Sequence, residues 1–240
     1  MILTNLIPAS FYRKVSNKVN VCYCVRGVFS PLLANLFLHY CMDSWLKRKH
    51  PQCPFERYAD DVVIHCKTEA EAQGLKMSLS ERLEECGLQM HPEKTKIVYC
   101  KDDYRKGDYP NRKFDFLGYG FQARGAKNKK GEMFVGFLPA ISDKARKSIR
   151  EKIRTCKTLQ VTNSELPEIA NELNPKLRGW INYYGKFYKS KLDHTLTAVT
   201  FRLASWAKRK YKKLHRKFKG ALVWVGKIQK SQPKLFVHWS

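Results

Sequence analysis

None of the eight cysteines in this 240-residue chain forms a Cys-x-x-Cys pair, so a zinc site of familiar spacing is not expected. No apolar run reaches transmembrane length. The apolar start, MILTNLIP at 1–8, lacks the basic region and small-residue cleavage site of a secretory leader. These absences together predict reduced thiols and a cytoplasmic setting. Acidic residues are scarce in one half only. Residues 121–240 hold 28 basic and 7 acidic residues, against 18 and 14 in residues 1–120. The net charge is +25, and a half-molecule this positive repels itself and attracts polyanions. Nucleic acid is the expected partner.

What is present begins with FERYADDVVIHC at 55–66. Val62, Val63 and Ile64 are strong strand formers, Phe55 and Tyr58 acceptable ones, and Ala59-Asp60 can close a tight hairpin between them. Asp60 and Asp61 then crowd at a loop tip, which is unfavourable unless water or a cation offsets the repulsion. Asp102-Asp103 is a second acidic pair, but it lies in a polar loop without flanking strands and receives no role. The strands on either side are what single out 60–61. Two carboxylates at a hairpin tip suit Mg²⁺, a hard cation that takes oxygen ligands and substrate phosphates.

Around this hairpin the pattern predicts an α+β unit with an antiparallel sheet. VCYCV at 21–25 reads as a short strand. Ser30-Pro31 opens a helix with Leu33, Leu36, Phe37 and Tyr40 on its apolar face and Trp45 extending it. Thr68 and Glu71 form a capping box for a helix whose buried stripe is Ala72, Leu75, Leu79, Leu83 and Cys86, stopped by Gly87. LQM at 88–90, KIVYC at 96–100 and FDFLGYGF at 114–121 read as strands. A basic turn at 124–132 leads to another strand, MFVGFL.

Beyond Pro139 the spacing is helical. Ala145, Ile149, Ile153 and Cys156 make one stripe, and Leu166, Ile169, Ala170 and Leu173 a second, closed by Asn174-Pro175. Leu177, Trp180, Ile181 and Tyr184 make a third; Leu192, Leu196, Val199, Leu203 and Trp206 make a fourth. The expected division is residues 1–26, a divergent N-terminal segment; 27–138, the α+β unit; and 139–240, a basic helical domain. Residues 201–220 carry nine basic residues and no acid. Such a run is commonly a solvated face, but Trp206, Tyr211 and Phe218 interleave with the cations, as in surfaces that bind RNA. Trp206 and Trp180 read as core, whereas Arg178 is placed to reach phosphate, as are Lys208, Arg209, Lys210, Lys212 and Lys213. The lone histidines His65 and His91 read as structural.

YADD at 58–61 resembles the active-site box of reverse transcriptases, and its surroundings resemble the reverse transcriptase/maturase proteins encoded by group II introns, which are mobile elements. GVFSPLLANLFLHYCMDSW at 27–45, GLQMHPEKTKIVYC at 87–100 and FDFLGYGF at 114–121 are similar to successive family blocks. LNPKLRGWINYYGKF at 173–187 is similar to the maturase, or thumb, domain. The resemblance implies a right-hand polymerase fold: a partial palm with an antiparallel sheet and helices, followed by an all-α thumb/maturase domain. It implies RNA-directed DNA synthesis, a nucleotidyl transfer, with Asp60 and Asp61 as catalytic, Mg²⁺-binding carboxylates and Tyr58 and Ala59 at the primer end. The implied partners are group II intron RNA and an RNA template with a DNA primer.

The same resemblance marks departures. Residues 1–26 are not expected to match the family, and Cys24-Val25-Arg26 stands where Pro-Gln-Gly is expected. The fingers and the palm strand with a third metal-binding Asp are expected to be missing, leaving the two-metal site incomplete. Asp43, on the helix after Ser30, is not expected to replace that Asp. A separate N-terminal fragment is a possible complement. Three readings compete: a polymerase completed by another chain, an RNA-binding splicing maturase without polymerase activity, and a relic.

Overall fold

The computed structural model of the protein describes residues 1–4, 30–105, 107–215 and 217–239. The strand expected at 21–25 lies outside them. The chain divides into two compact units, Met1–Phe114 with Gln122–Phe137 and Asp115–Phe121 with Leu138–Ser240. The architecture is α+β with an antiparallel sheet, and no described helix is long and apolar enough to cross a membrane.

In the first unit, β1 (Ile2–Thr4), β2 (Phe55–Tyr58), β3 (Asp61–His65) and β4 (Lys96–Val98) form a sheet in the order β2-β3-β1-β4. β3 is an inner strand, antiparallel to both neighbours. Its continuous Val62-Val63-Ile64 run is buried, so the absence of alternation there reflects cover on both faces. Helices α1 (Ser30–Leu38), α2 (Ser44–Lys49) and α3 (Glu69–Glu85) supply the rest of the core, with Leu38, Met42, Leu46, Leu75, Leu79 and Leu83 against Leu3, Val62 and Ile64. A π-helical turn, His39–Asp43, joins α1 to α2.

The expected N-cap forms, with Thr68 Oγ1 accepting from the Glu71 amide at 3.1 Å, while the Glu71 carboxylate reaches back to the Lys67 amide at 2.6 Å. The stop is also explicit. Gly87 has φ of +74°, its amide bonds to Glu84 O at 2.9 Å, and the Leu88 amide bonds to Leu83 O at 2.7 Å. This is the paired closure of a Schellman motif with Leu88 tucked into the core. That role takes Leu88 out of the strand expected at 88–90, where the chain is irregular.

The expected apolar face of α1 is a correction in part: Phe37 and Trp45 pack against the core, but three residues of that face do not. Leu33 and Leu36 are 51% exposed and Tyr40 65%, while Ala34, Leu38, Cys41 and Met42 are the buried set. The segment is apolar nearly all round, so periodicity cannot select a face, and the π turn then rotates the residues that follow.

β5 (Lys113–Phe116), β6 (Tyr119–Lys127) and β7 (Met133–Ile141) form a second sheet in chain order. The single strand expected at 114–121 is instead a hairpin. Leu117 and Gly118 have φ of +49° and +80°, the geometry of a two-residue mirror-image turn. A Cβ at Gly118 would also come within 2.7 Å of the Tyr184 hydroxyl.

The second unit is built on α4 (Asp143–Arg154), α5 (Leu166–Tyr184), α6 (Lys189–Lys210) and α7 (Phe218–Ser231). Ile149, Ile153, Leu173, Leu177, Leu196, Val199, Leu203, Trp206, Val225 and Phe236 form one core, and Trp206 is fully buried, as its stripe predicts. Asn174-Pro175 does not break the chain, which corrects the expected closure: α5 runs through both. Proline removes the bond to the carbonyl four residues earlier, but Pro175 and Asn171 lie on the exposed side, where water can take it up. Asn174 binds the C-terminal segment from both ends of its amide, donating to Leu235 O at 2.9 Å and accepting from the Val237 amide at 3.1 Å.

Two groups in this unit couple its stability to pH. Both ring nitrogens of His238 are sealed from water without a hydrogen-bond partner, and burial lowers its pKa to about 4. Burial raises Glu172, but bonds from the Thr158 amide and hydroxyl, Lys176 and Cys156 outweigh it and hold its carboxyl at about 2. Protons therefore bind the unfolded chain preferentially at both sites. His238 contributes stability that is present above pH 6.5 and lost as pH falls toward 4; the Glu172 contribution is lost between about 4.5 and 2. His238→Phe should flatten the fall in unfolding free energy between pH 6.5 and 4, an effect of a few kcal/mol at most, read by urea denaturation. An unchanged slope would mean that the imidazole is not held neutral.

Candidate active site

The acidic dipeptide is carried by the β2-β3 hairpin, whose register pairs Phe55 with Ile64, Glu56 with Val63, Arg57 with Val62 and Tyr58 with Asp61. Ala59-Asp60 is thus a two-residue loop. Ala59 adopts φ of +54°, a left-handed conformation that costs a non-glycine residue roughly 1–2 kcal/mol. The tip holds this conformation through Arg57. Its Nη1 donates to Ala59 O at 3.0 Å and to Asn35 Oδ1 at 2.8 Å. Nε and Nη2 clasp Asp43, at 2.8 Å to Oδ1 and 2.7 Å to Oδ2. The two side chains are only 12% and 11% exposed, so this pair is largely withdrawn from water.

Asn35 belongs to α1 and Asp43 ends the π turn, so one guanidinium fastens the loop tip to both. Sequence reasoning did not identify Arg57 or Asn35 as site residues. One signal was available: Asp43 is the single acid within a long apolar helical stretch, and such a residue needs a buried partner.

Asp60 and Asp61 are half-buried at the tip, Ala59 is half-buried, and Tyr58 is 65% exposed. Among the described residues, the two aspartates belong to no cluster of three ligating side chains. The neighbouring strand β1 offers Ile2, Leu3 and Thr4, with Thr4 opposite Val63, and no carboxylate. No acidic residue precedes Asp43 in the sequence, and Asp43 is committed to Arg57. Two oxygen-donor carboxylates still fit Mg²⁺, which is held by one or two carboxylates with water and phosphate completing its shell.

The other acidic pair has local work. Asp102 Oδ1 accepts from the amides of Tyr104 and Arg105, and Asp103 Oδ2 accepts from the Val135 amide at 2.9 Å. His65 pairs with Glu56 at 2.8 Å, and His91 Nδ1 accepts from the Lys94 amide at 3.4 Å.

The basic residues of the second unit fall into two groups. Arg202 donates to Arg154 O at 3.1 Å, Arg209 to Leu159 O at 2.5 Å, and Lys210 to Ser164 O at 2.6 Å as well as to Glu165. Lys210 is 16% exposed and lies over the Trp206 ring. These cations bind backbone carbonyls along the α4–α5 connection and the end of α4, where a positive charge also meets the negative end of the helix. Lys212, Lys213 and Arg178 are exposed, and Lys208 is half-buried. Arg209 remains exposed although it binds these carbonyls, so the cations run from Lys210, withdrawn, to Lys212, Lys213 and Arg178, presented to solvent.

Removing Arg57 would leave the largely buried Asp43 carboxylate with only His39, 3.5 Å away, near it. Arg57→Met should cost roughly 3–5 kcal/mol, the range for breaking a buried pair from one side. The double variant Arg57→Met/Asp43→Leu should recover much of that loss. Denaturant unfolding of the four proteins in the cycle measures the coupling; additive losses would show that the clamp does not hold the tip.

The comparisons with known proteins give two family matches. A family model for reverse transcriptase (RNA-dependent DNA polymerase) matches residues 12–121, which include the hairpin. A model for the group II intron, maturase-specific domain matches residues 146–222, which include α5 and α6. No curated protein matches the chain. The first match begins well before Gly27, which corrects the expectation that residues 1–26 carry no likeness to the family. Two family models in this order, together taking in most of the sequence, leave one assignment: the chain belongs to the group II intron reverse transcriptase/maturase family.

Proposed function

We propose that this chain acts on group II intron RNA as a splicing maturase, and that by itself it does not synthesise DNA. The first unit corresponds to a polymerase palm and the helical second unit to the thumb/maturase domain. The observation that carries the reading is the supply of carboxylates. Asp60 and Asp61 would hold Mg²⁺, which in nucleotidyl transfer stabilises charge on the attacking and leaving oxygens. A two-metal site needs more oxygen donors than these two side chains offer. β1 carries no acid, and the one acid on the neighbouring helical segment is spent on Arg57. Tyr58, exposed beside the acids, is positioned to meet a nucleic-acid end.

RNA binding rests on the presented cations. Lys212, Lys213, Lys219 and Arg178 are exposed. Lysine–phosphate contacts release counterions, so affinity falls steeply with salt. Lys212→Gln/Lys213→Gln/Lys219→Gln should weaken binding to structured intron RNA and flatten the log–log salt slope by about 2, at roughly 0.7–0.9 per lost phosphate contact. Lys210→Gln should instead lower the melting temperature. An unchanged slope in the triple variant would move the RNA surface elsewhere, to Arg178 or the 124–130 turn.

A second reading, a polymerase completed by a separate N-terminal fragment, is favoured by one observation: Leu32, Leu33, Leu36 and Tyr40 form an exposed apolar surface on α1 and the π turn. The full chain, given an RNA template, a DNA primer, dNTPs and Mg²⁺, should give no extension. Mg²⁺-dependent extension that disappears in Asp60→Ala would overturn the proposal.

A further inference from the structure

At the end of the hairpin away from Asp60 and Asp61 lies a cluster that the polymerase reading does not use. We propose that Cys53, Cys66 and Glu71 form a binding site for a borderline-soft divalent cation of the Zn²⁺ class. The hairpin register, continued outward from Phe55 opposite Ile64, sets Cys53 across from Cys66, and His65 N still donates to Pro54 O at 2.8 Å between them. Both cysteines are buried, at 3% and 7% exposure. The two Sγ atoms and a Glu71 carboxylate oxygen all lie within 4.8 Å of one another, and Cys53 Sγ stands 3.5 Å from Glu71 Oε1.

That spacing is the edge of a coordination tetrahedron. With Zn–S near 2.3 Å and Zn–O near 2.1 Å, tetrahedral geometry places sulfur and oxygen ligands about 3.6 Å apart. The donors are also pre-set. Glu71 is held by its amide bond to Thr68 Oγ1 and by the Lys67 amide, which donates to Oε2 at 2.6 Å and leaves Oε1 turned toward sulfur. Such outer bonds orient a ligand and tune its basicity. Cys66 is fixed by two backbone bonds to Met1: its amide donates to Met1 O at 2.9 Å, and the Met1 ammonium donates to Cys66 O at 2.8 Å. Two thiolates and a carboxylate around a divalent ion leave one net negative charge. The Met1 ammonium and the N-terminal end of α3 lie beside it to offset that charge.

Without a metal, burial pushes both thiols up, Cys53 to about 12, so the pair is not nucleophilic. Binding displaces both thiol protons to solvent as the sulfur–metal bonds form. Hard Mg²⁺ would avoid this site, and Zn²⁺ would prefer it to the all-oxygen tip. The hairpin thus separates its donors by metal class.

The test titrates Co²⁺ into the reduced, metal-free full chain. Thiolate-to-cobalt charge-transfer absorption should rise to one equivalent, be displaced by Zn²⁺, and persist in Cys86→Ser/Cys100→Ser. Cys53→Ser and Cys66→Ser should abolish it. Glu71→Gln, which keeps a carbonyl oxygen for the Lys67 amide, should weaken Zn²⁺ binding by more than the roughly 10–100-fold typical of losing an outer-shell partner. Charge-transfer absorption that survives in Cys53→Ser/Cys66→Ser, no absorption in the folded wild type, or isolation of Cys53 and Cys66 as a disulfide that excludes cobalt would each overturn the site.

Discussion

The first unit depends on the Arg57–Asp43 pair. A guanidinium and a carboxylate withdrawn from water are tolerable only when both are well paired, and here the carboxylate is clasped by two nitrogens. The remaining donors are what make the pair consequential. Nη1 bonds Asn35 and Ala59, so the same planar group that satisfies Asp43 also fixes a left-handed alanine at the hairpin tip. A lysine could neutralise Asp43 but could not reach these acceptors with one rigid fork. The positions of Asp60 and Asp61 follow from this arrangement.

The second unit uses charge differently. Its cations exceed its acids so far that ion pairing cannot absorb them. Arg202, Arg209 and Lys210 instead donate to carbonyl oxygens at the end of α4 and along the α4–α5 connection, which would otherwise need water. α6 and this connection are thereby tied together chiefly through backbone carbonyls, with Glu165 the one acid that takes part. What stays outward, around Lys212 and Lys213, is the part of the charge that a polyanion can neutralise. Tyr183 and Tyr184, in the motif that resembles the maturase domain, are occupied locally: the Tyr183 hydroxyl donates to Leu117 O at 2.8 Å, Tyr119 donates to Tyr183 O, and Tyr184 packs against Tyr183 and Tyr119. These rings hold the Leu117-Gly118 turn.

Features written in short-range chemistry were legible in the sequence. The Thr68 N-cap, the Ala59-Asp60 turn and the buried Trp206 stripe each depend on residues within a few positions or on helical spacing. Features decided by distant partners were not. The face of α1 was unreadable because it is apolar on nearly every side. Pro175 continues a helix because its exposed side lets water serve the freed carbonyl, which composition does not reveal. FDFLGYGF hides a turn because Leu117, not glycine, takes the first left-handed position. Cys53 and Cys66 are separated along the chain and meet only through the hairpin register, so a search for Cys-x-x-Cys passes over them.

The hairpin has three fixed points that lie outside its two acids. The tip is held by Arg57, the middle by burial of Val62, Val63 and Ile64, and the base by the bonds between Cys66 and Met1. Asp60 and Asp61 bring two like charges into a half-buried tip and none of these contacts requires them. The fold can therefore carry the reverse-transcriptase hairpin whether or not the carboxylates have chemistry to perform. Conversely, an intact hairpin is no measure of polymerase activity in this chain. The strand beside β3 carries Ile2, Leu3 and Thr4, so the hairpin's two acids gain no further carboxylate from it.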